Sequence, residues 1–228
     1  MEDSNLKAQT EVASANAKGF VSSGVVNPIL ADQYQAEDYE FCLREIGIIT
    51  KEEAKDDSKE PPHYLTNLEA YSIMLASSEG GSGLSLMPLY KIPEETIKKN
   101  SIEEAAEAQG KIIVQLMNHI GLPLGITVWV DIESINSTKF LTDDKTLSQE
   151  QTKQYLKRLC AYVLDSGFSV GYYYGNTSGC ECPSEVGNSS SNVLRTVSCA
   201  NGLGESQFHT ITIGDNTDSC KIRWAVYQ

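Results

Sequence analysis

The order of strand-like and helix-like segments is the feature that most restricts the fold of this chain. Runs rich in β-branched and aromatic residues alternate with longer segments of helical periodicity. The predicted strands are 19–22, 41–46, 84–92, 126–132 and 169–175. The predicted helices are 29–37, 67–77, 101–120 and 148–166. Strand–helix units in succession indicate a parallel sheet with helices outside it.

The last quarter of the chain decides which sheet is predicted. Segments 194–199, 209–213 and 221–227 have strand composition and short, irregular connections. Counting them predicts an α/β fold, a (β/α)8 TIM-like barrel that is irregular in its last third. An open, doubly wound sheet is the competing architecture. We therefore expect a flexible leader over residues 1–17 and a barrel domain over residues 18–228.

Capping residues predict where the two longest helices begin. Ser101 precedes an acidic first turn, which the positive end of the helix dipole favours. Ser148 is followed three residues later by Gln151, which is the spacing of a capping box. Both helices therefore have a local start signal.

The charge balance and the termini limit the expected partners and location. Lys and Arg total 18 against 31 Asp and Glu, a formal charge of −13, which disfavours nucleic acids and anionic membrane surfaces as partners. No window is apolar enough for a membrane span. The amino terminus lacks the pattern of a secretory signal. The cytosol, a removed signal, and delivery outside the cell or to the envelope by a non-classical route stay open.

The cysteines and histidines do not predict a metal site. Cys42 and Cys160 lie in apolar contexts and are expected in the core. The other four cysteines are concentrated near the end of the chain: Cys180, Cys182, Cys199 and Cys220. Two disulfides, free thiols and a zinc site are the alternatives there, and zinc is least favoured because CEC lacks the usual spacing. We expect neither a metal nor a cofactor.

The segment VWVDIES carries the candidate catalytic residues. Side chains alternate between the faces of a strand, so Trp129, Asp131 and Glu133 share one face. In a barrel this face is directed to the axis, and the two acids lie at the carboxyl end of the strand, where barrel active sites form. Their spacing suits the paired acids of glycosidases. An ordinary ion pair with Arg44 or Lys91 is the structural alternative.

Several segments, in this order, resemble the family 25 lysozymes and a glycoside-hydrolase-like domain related to them: YEFCLREIG, YLTNLEA, LMPLYKI, EEAAEAQG, GLPLGITVWVDIE and GFSVGYYYG. The likeness covers residues 18–175 and is most specific over 120–133. It implies a barrel that acts on the β-1,4 link of N-acetylmuramyl glycans, or descends from one that does. A peptidoglycan-type glycan is the implied partner.

The resemblance also implies roles for single residues. Glu133 matches the general acid, and Asp131 matches the acid that orients and stabilises the N-acetyl group of the substrate. Aromatic faces suit a sugar groove because they stack on the apolar face of a sugar ring. The substrate-binding candidates are Arg44, Tyr90, Tyr172, Tyr174 and Trp224.

The first predicted strand departs from the family pattern. The family has Gly-Phe-Asp-x-Ser, whereas this chain has Val21 in the place of the acid. Asp215 is the candidate for the remaining late-strand acid. The leading prediction is a hydrolase of peptidoglycan-type glycans. The second is a catalytically silent barrel that binds carbohydrate or serves as a structural module of a phage particle or secretion apparatus. An unrelated α/β enzyme that uses Asp131 and Glu133 for other chemistry is the third.

Overall fold

A computed structural model describes residues 8–14, 16–49, 63–75, 83–93, 101–131, 134, 139–140, 145–174, 192–195, 208–212 and 222–227. The strands are β1 (Ala8–Val12), β2 (Lys18–Ser22), β3 (Phe41–Ile46), β4 (Ser85–Lys91), β5 (Thr127–Asp131), β6 (Lys139–Phe140), β7 (Lys145–Thr146), β8 (Ser169–Tyr174), β9 (Asn192–Arg195), β10 (Phe208–Thr212) and β11 (Arg223–Tyr227). The helices are α1 (Pro28–Ala36), α2 (Asn67–Met74), α3 (Ile102–Ile120) and α4 (Gln149–Asp165).

The strands form one large mixed sheet and a small separate ladder. Six of them run parallel in the order β2-β3-β4-β5-β8-β9. Strand β10 pairs antiparallel with β2, β11 pairs antiparallel with β4, and β1 pairs antiparallel with β11. Strands β6 and β7 form the second, two-stranded sheet. The parallel part therefore contains all five strands predicted from the first 175 residues.

The predicted (β/α)8 TIM-like barrel is wrong. Such a barrel needs eight parallel strands that close on themselves, each followed by a helix. Among the described strands of the large sheet, three run antiparallel to their partners, and no ladder of hydrogen bonds joins β9 to β10. Antiparallel pairs need no crossover helix, and the described part of the chain after α4 contains strands alone. Strands β1, β10 and β11 are therefore antiparallel where a barrel of this kind has parallel strands.

Strand β1 comes from the segment that was predicted to be a flexible leader. Ala8 to Val12 pair along their whole length with Tyr227 to Arg223 of β11. Strand β11 in turn lies beside the beginning of β4, where Ala225 pairs with Leu86. The two ends of the described chain thus pair with each other and branch from the sheet at the beginning of β4.

The sheet separates two groups of buried apolar side chains. The helix face packs against the helices and includes Val128 and Val130. The opposite face, called the far face below, includes Leu89, Trp129 and Trp224. The alternation predicted for VWVD is therefore confirmed, with the valines towards the helices.

The predicted starts of the two longest helices are confirmed. Ser101 accepts a hydrogen bond from the backbone N–H of Glu104, and Ser148 and Gln151 form a capping box. The two helices lie side by side, where a Cβ on Gly110 would come within 3.1 Å of the Tyr162 Cβ. None of the helices in the described part of the chain is long and apolar enough to cross a membrane.

Candidate functional site

The carboxyl ends of β4, β5 and β8 place three polar residues side by side. Lys91 pairs with Asp131, and Asp131 pairs with Tyr173. These residues come two positions after Leu89, Trp129 and Gly171, which are themselves paired across the three strands. Residues two apart in a strand share a face, and Leu89 and Trp129 belong to the far-face cluster, so the three polar residues lie on the far face. We call Lys91, Asp131 and Tyr173 the edge row. Neighbouring strands are about 4.8 Å apart, so the row extends over about 10 Å.

An apolar layer closes the space beneath the edge row. Leu89 and Trp129 are buried, and the Trp129 indole N–H donates to the Met87 sulfur at 3.0 Å. The indole ring lies over Gly171, where a Cβ would come within 2.5 Å of it. Because this layer excludes water from below, a ligand reaches the edge row from the carboxyl edge of the sheet, which is where parallel sheets usually bind ligands.

Asp131 is held at the end of β5 by a neighbouring serine. The residue is 7% exposed. The Ser134 hydroxyl donates to the backbone carbonyl of Asp131 at 2.6 Å, and Ser134 Oγ accepts a hydrogen bond from the Ile92 N–H at 2.9 Å. These two bonds tie the ends of β4 and β5 together. The serine is the last letter of VWVDIES, and the sequence interpretation did not assign it a role.

A second carboxylate, which the sequence interpretation also missed, lies beside the edge row. The Lys91 ammonium donates to Glu45 Oε2 at 2.8 Å, with the lysine side chain 45% and the glutamate side chain 13% exposed. Glu45 follows Leu43 by two residues in β3 and therefore shares the far face. The alternation in FCLREI carried that signal. Lys91, named above as an ion-pair partner for the acids of VWVDIES, is bonded to Glu45.

Arg44 lies on the helix face, away from the edge row. Its guanidinium is fully buried and bonds to Glu69 of α2 and to the backbone carbonyls of Ser22 and His63. Glu69 also accepts from the Val26 N–H at 2.9 Å. These bonds fasten the segments that follow β2 and β3, so the structure gives Arg44 an architectural position.

Tyr90 and Tyr172 also lie on the helix face. The Tyr90 hydroxyl donates to the Gln109 side chain at 2.5 Å, and burial raises the Tyr90 pKa well above its ordinary value. The Tyr172 hydroxyl lies 3.1 Å from Cys160 Sγ. Burial raises the pKa of the Cys160 thiol to about 11. These tyrosines pack against α3 and α4, whereas Tyr173 is the tyrosine of β8 that belongs to the far-face cluster.

Trp224 lies on the far face but near its opposite end. Its ring centroid is 5.8 Å from that of Phe41, and the side chain is buried. The next residue, Ala225, pairs with Leu86, which precedes Lys91 by five residues in β4. That offset is roughly 16 Å along the strand. Trp224 and the edge row are therefore at opposite ends of the same face.

Several sequence-derived candidates fall outside the described residues. These are Glu133, Asp215, the side chain of Tyr174, and the four cysteines Cys180, Cys182, Cys199 and Cys220. Val21, which replaces the expected acid, is described. It is buried in the far-face cluster, in the last part of β2.

The described side chains at the carboxyl edge thus combine two carboxylates, one ammonium group and one phenol. Such a set can bind hydroxyl and amide groups, and a carboxyl group there can accept a proton when ionised or donate one when protonated. Among the described residues, no three His, Cys, Asp or Glu side chains lie close enough together to hold a metal ion.

Comparisons with known proteins concern the fold. No family model matches the chain, and no curated protein matches it. The chain is similar to a crystal structure of an uncharacterized protein from B. stearothermophilus, with a TM-score of 0.50 and 13% identity. The match covers 93% of this chain and 96% of that one. At this identity the likeness shows a shared fold alone.

Proposed function

We propose that the protein binds a peptidoglycan-type glycan along the edge row and cleaves it as an N-acetylmuramidase-like glycoside hydrolase. The observation that carries the proposal is the position of Asp131. Its carboxyl group is buried on the far face, at the carboxyl end of a parallel strand, between Lys91 and Tyr173. The sequence resemblance to the family 25 lysozymes supports the choice of glycan.

The proposed reaction divides the work between two acids. Glu133 protonates the glycosidic oxygen as the bond to the anomeric carbon breaks. Asp131 accepts a hydrogen bond from the N–H of the substrate's acetamido group, and the acetamido oxygen then bonds to the anomeric carbon. Water, deprotonated by Glu133, opens the cyclic intermediate and restores both acids. The restraint of β5 by Ser134 supports this assignment, since an orienting acid has to be held in place.

The alternative is a catalytically silent domain that binds the same glycan without cleaving it. The observation in its favour is Val21, an apolar side chain on the far face where the resembling family has an acid. Binding requires only the hydrogen-bonding groups of the edge row. Hydrolysis requires in addition that Glu133 delivers a proton.

Release of reducing ends from purified peptidoglycan tests the two functions. The wild type is compared with Glu133→Gln, Asp131→Asn and the control Glu107→Gln, which changes an exposed acid on α3. We expect Glu133→Gln to lower the rate by at least about 100-fold, the usual contribution of a general acid, and the control to match the wild type.

Three results contradict the proposal in different ways. Equal release by the wild type and Glu133→Gln means that the assigned acid is wrong. Binding to peptidoglycan without release of reducing ends favours the silent module. Neither binding nor release by the wild type overturns both functions.

A further inference from the structure

Glu45 and Lys91 form a polar pair that the proposed reaction does not use. One ammonium N–H of Lys91 bonds to Glu45 Oε2 at 2.8 Å. A lysine has three such donors, so two stay available at its half-exposed end. Glu45 Oε1 makes no hydrogen bond within the described part of the chain. The pair therefore presents donors and an acceptor next to each other at the carboxyl edge.

Among the described side chains, those around Lys91 carry more negative than positive charge. Glu45 lies on one side of it in β3 and Asp131 on the other in β5, so the three groups together carry a formal charge of −1. The whole chain carries −13. A carboxylate on an incoming ligand would be repelled by both acids at short range, where salt screens little. This arrangement favours an uncharged ligand.

We infer that Glu45 and Lys91 form a second sugar subsite, selective for an uncharged hexose or amino sugar over an acidic one. A hydroxyl of the ring donates to Glu45 Oε1, and a hydroxyl or acetamido oxygen accepts from Lys91 Nζ. Glu45 and Asp131 lie two strands apart and two residues out of register, with about 12 Å between their Cα atoms, so different rings of one glycan chain can contact them. The inference rests on the proposed function, because it assumes that the edge row holds a glycan.

Binding of two tetrasaccharides by the full chain tests the subsite. One is tetra-N-acetylchitotetraose, which is uncharged, and the other is a hyaluronan tetrasaccharide, which carries carboxylates. The variants are Lys91→Met and Glu45→Gln, and the control is Arg158→Met. Arg158 belongs to an exposed ion pair with Glu107 that joins α3 and α4, and its side chain is 49% exposed, close to the value for Lys91.

We expect the wild type to prefer the uncharged tetrasaccharide. Lys91→Met and Glu45→Gln should each weaken its binding by about tenfold, while Arg158→Met leaves it unchanged. Circular dichroism and the thermal midpoint establish that each variant is folded, and two independent variants keep the test valid if one of them is not.

The outcomes separate this inference from the proposed function. Unchanged binding by Lys91→Met and Glu45→Gln, with binding lost in Asp131→Asn, overturns the second subsite and leaves the proposed function standing. A wild-type preference for the hyaluronan tetrasaccharide also overturns it. No binding of peptidoglycan or of either tetrasaccharide by the wild type removes the proposed function, and the subsite with it.

Discussion

The guanidinium of Arg44 and the carboxylate of Glu69 form a buried, bidentate ion pair. Nε lies 2.6 Å from Oε1 and Nη2 lies 3.1 Å from Oε2. Their side chains are 0% and 6% exposed. Two parallel N–H···O bonds are the geometry in which an arginine–carboxylate pair is strongest. The pair connects β3 to α2 and, through Ser22 and Val26, to the segment before α1.

Arg44→Met is expected to destabilise the protein by about 3–5 kcal/mol, because it leaves the Glu69 carboxylate buried without its cation. Urea unfolding followed by circular dichroism measures the loss. The double variant Arg44→Met/Glu69→Leu should lose less than the single variant, since it removes both charges. The matched control is Arg158→Met in the exposed pair with Glu107, which should cost at most about 1 kcal/mol. Equal losses for the buried and the exposed pair would contradict the prediction.

Gly171→Ala is expected to cost about 1–3 kcal/mol, because its Cβ would come within 2.5 Å of the Trp129 ring in a filled layer. Replacing Trp129 by Phe in the same chain should recover part of that cost, since the smaller ring leaves room for the methyl group. A double-mutant cycle of unfolding free energies measures the coupling. Additive effects of the two substitutions would show that the ring and the glycine are not in contact.

Ser134→Ala is expected to lower glycan binding and cleavage more than it lowers stability. The substitution removes both hydrogen bonds that tie the end of β5 to that of β4, at a cost of about 1 kcal/mol each at most. Asp131 then loses part of its restraint. Ser72→Ala, which removes one exposed hydroxyl bond within α2, is the control. Loss of stability without any change in binding would assign Ser134 a purely structural role.

Stability is expected to fall as the pH rises above about 9. Burial raises the pKa of the Cys160 thiol from its ordinary value of 9.0 to about 11. Between these two values the unfolded chain releases the proton and the folded chain retains it, so the unfolded state binds fewer protons and stability decreases with pH. Urea unfolding at intervals between these values measures the slope. Cys160→Ala should reduce it, and an unchanged slope in that variant would exclude the thiol as a cause.

Local features of the structure were predictable from local sequence. The alternation in VWVD placed the valines towards the helices and Trp129 on the other face, and Ser101 and Ser148 marked helix starts. Alternation and capping depend on residues within one element, so they need no knowledge of the rest of the fold. The parallel order of β2, β3, β4, β5 and β8 also followed from the succession of strand–helix units.

The positions of Arg44, Tyr90 and Tyr172 were not predictable in this way. Alternation identifies the two faces of one strand, but the register with a neighbouring strand decides which residues of both share a face. In β4 every residue from Ser85 to Tyr90 is buried, so apolar and polar residues do not alternate there and the strand carries no face signal. The hydrogen-bond register aligns Lys91, and not Tyr90, with Asp131.

The sequence by itself determined the five parallel strands of the first 175 residues, the starts of the two longest helices and the presence of an acid at the end of β5. Only the tertiary structure decided how the sheet ends and which side chains join Asp131. Strands β1, β10 and β11 pair with partners far away in the chain, and such pairings depend on the packing of the whole sheet. The same long-range register brings Lys91 and Tyr173 to the two sides of Asp131, and it brings Glu45 within reach of Lys91, because hydrogen bonds between strands align residues that no local pattern connects.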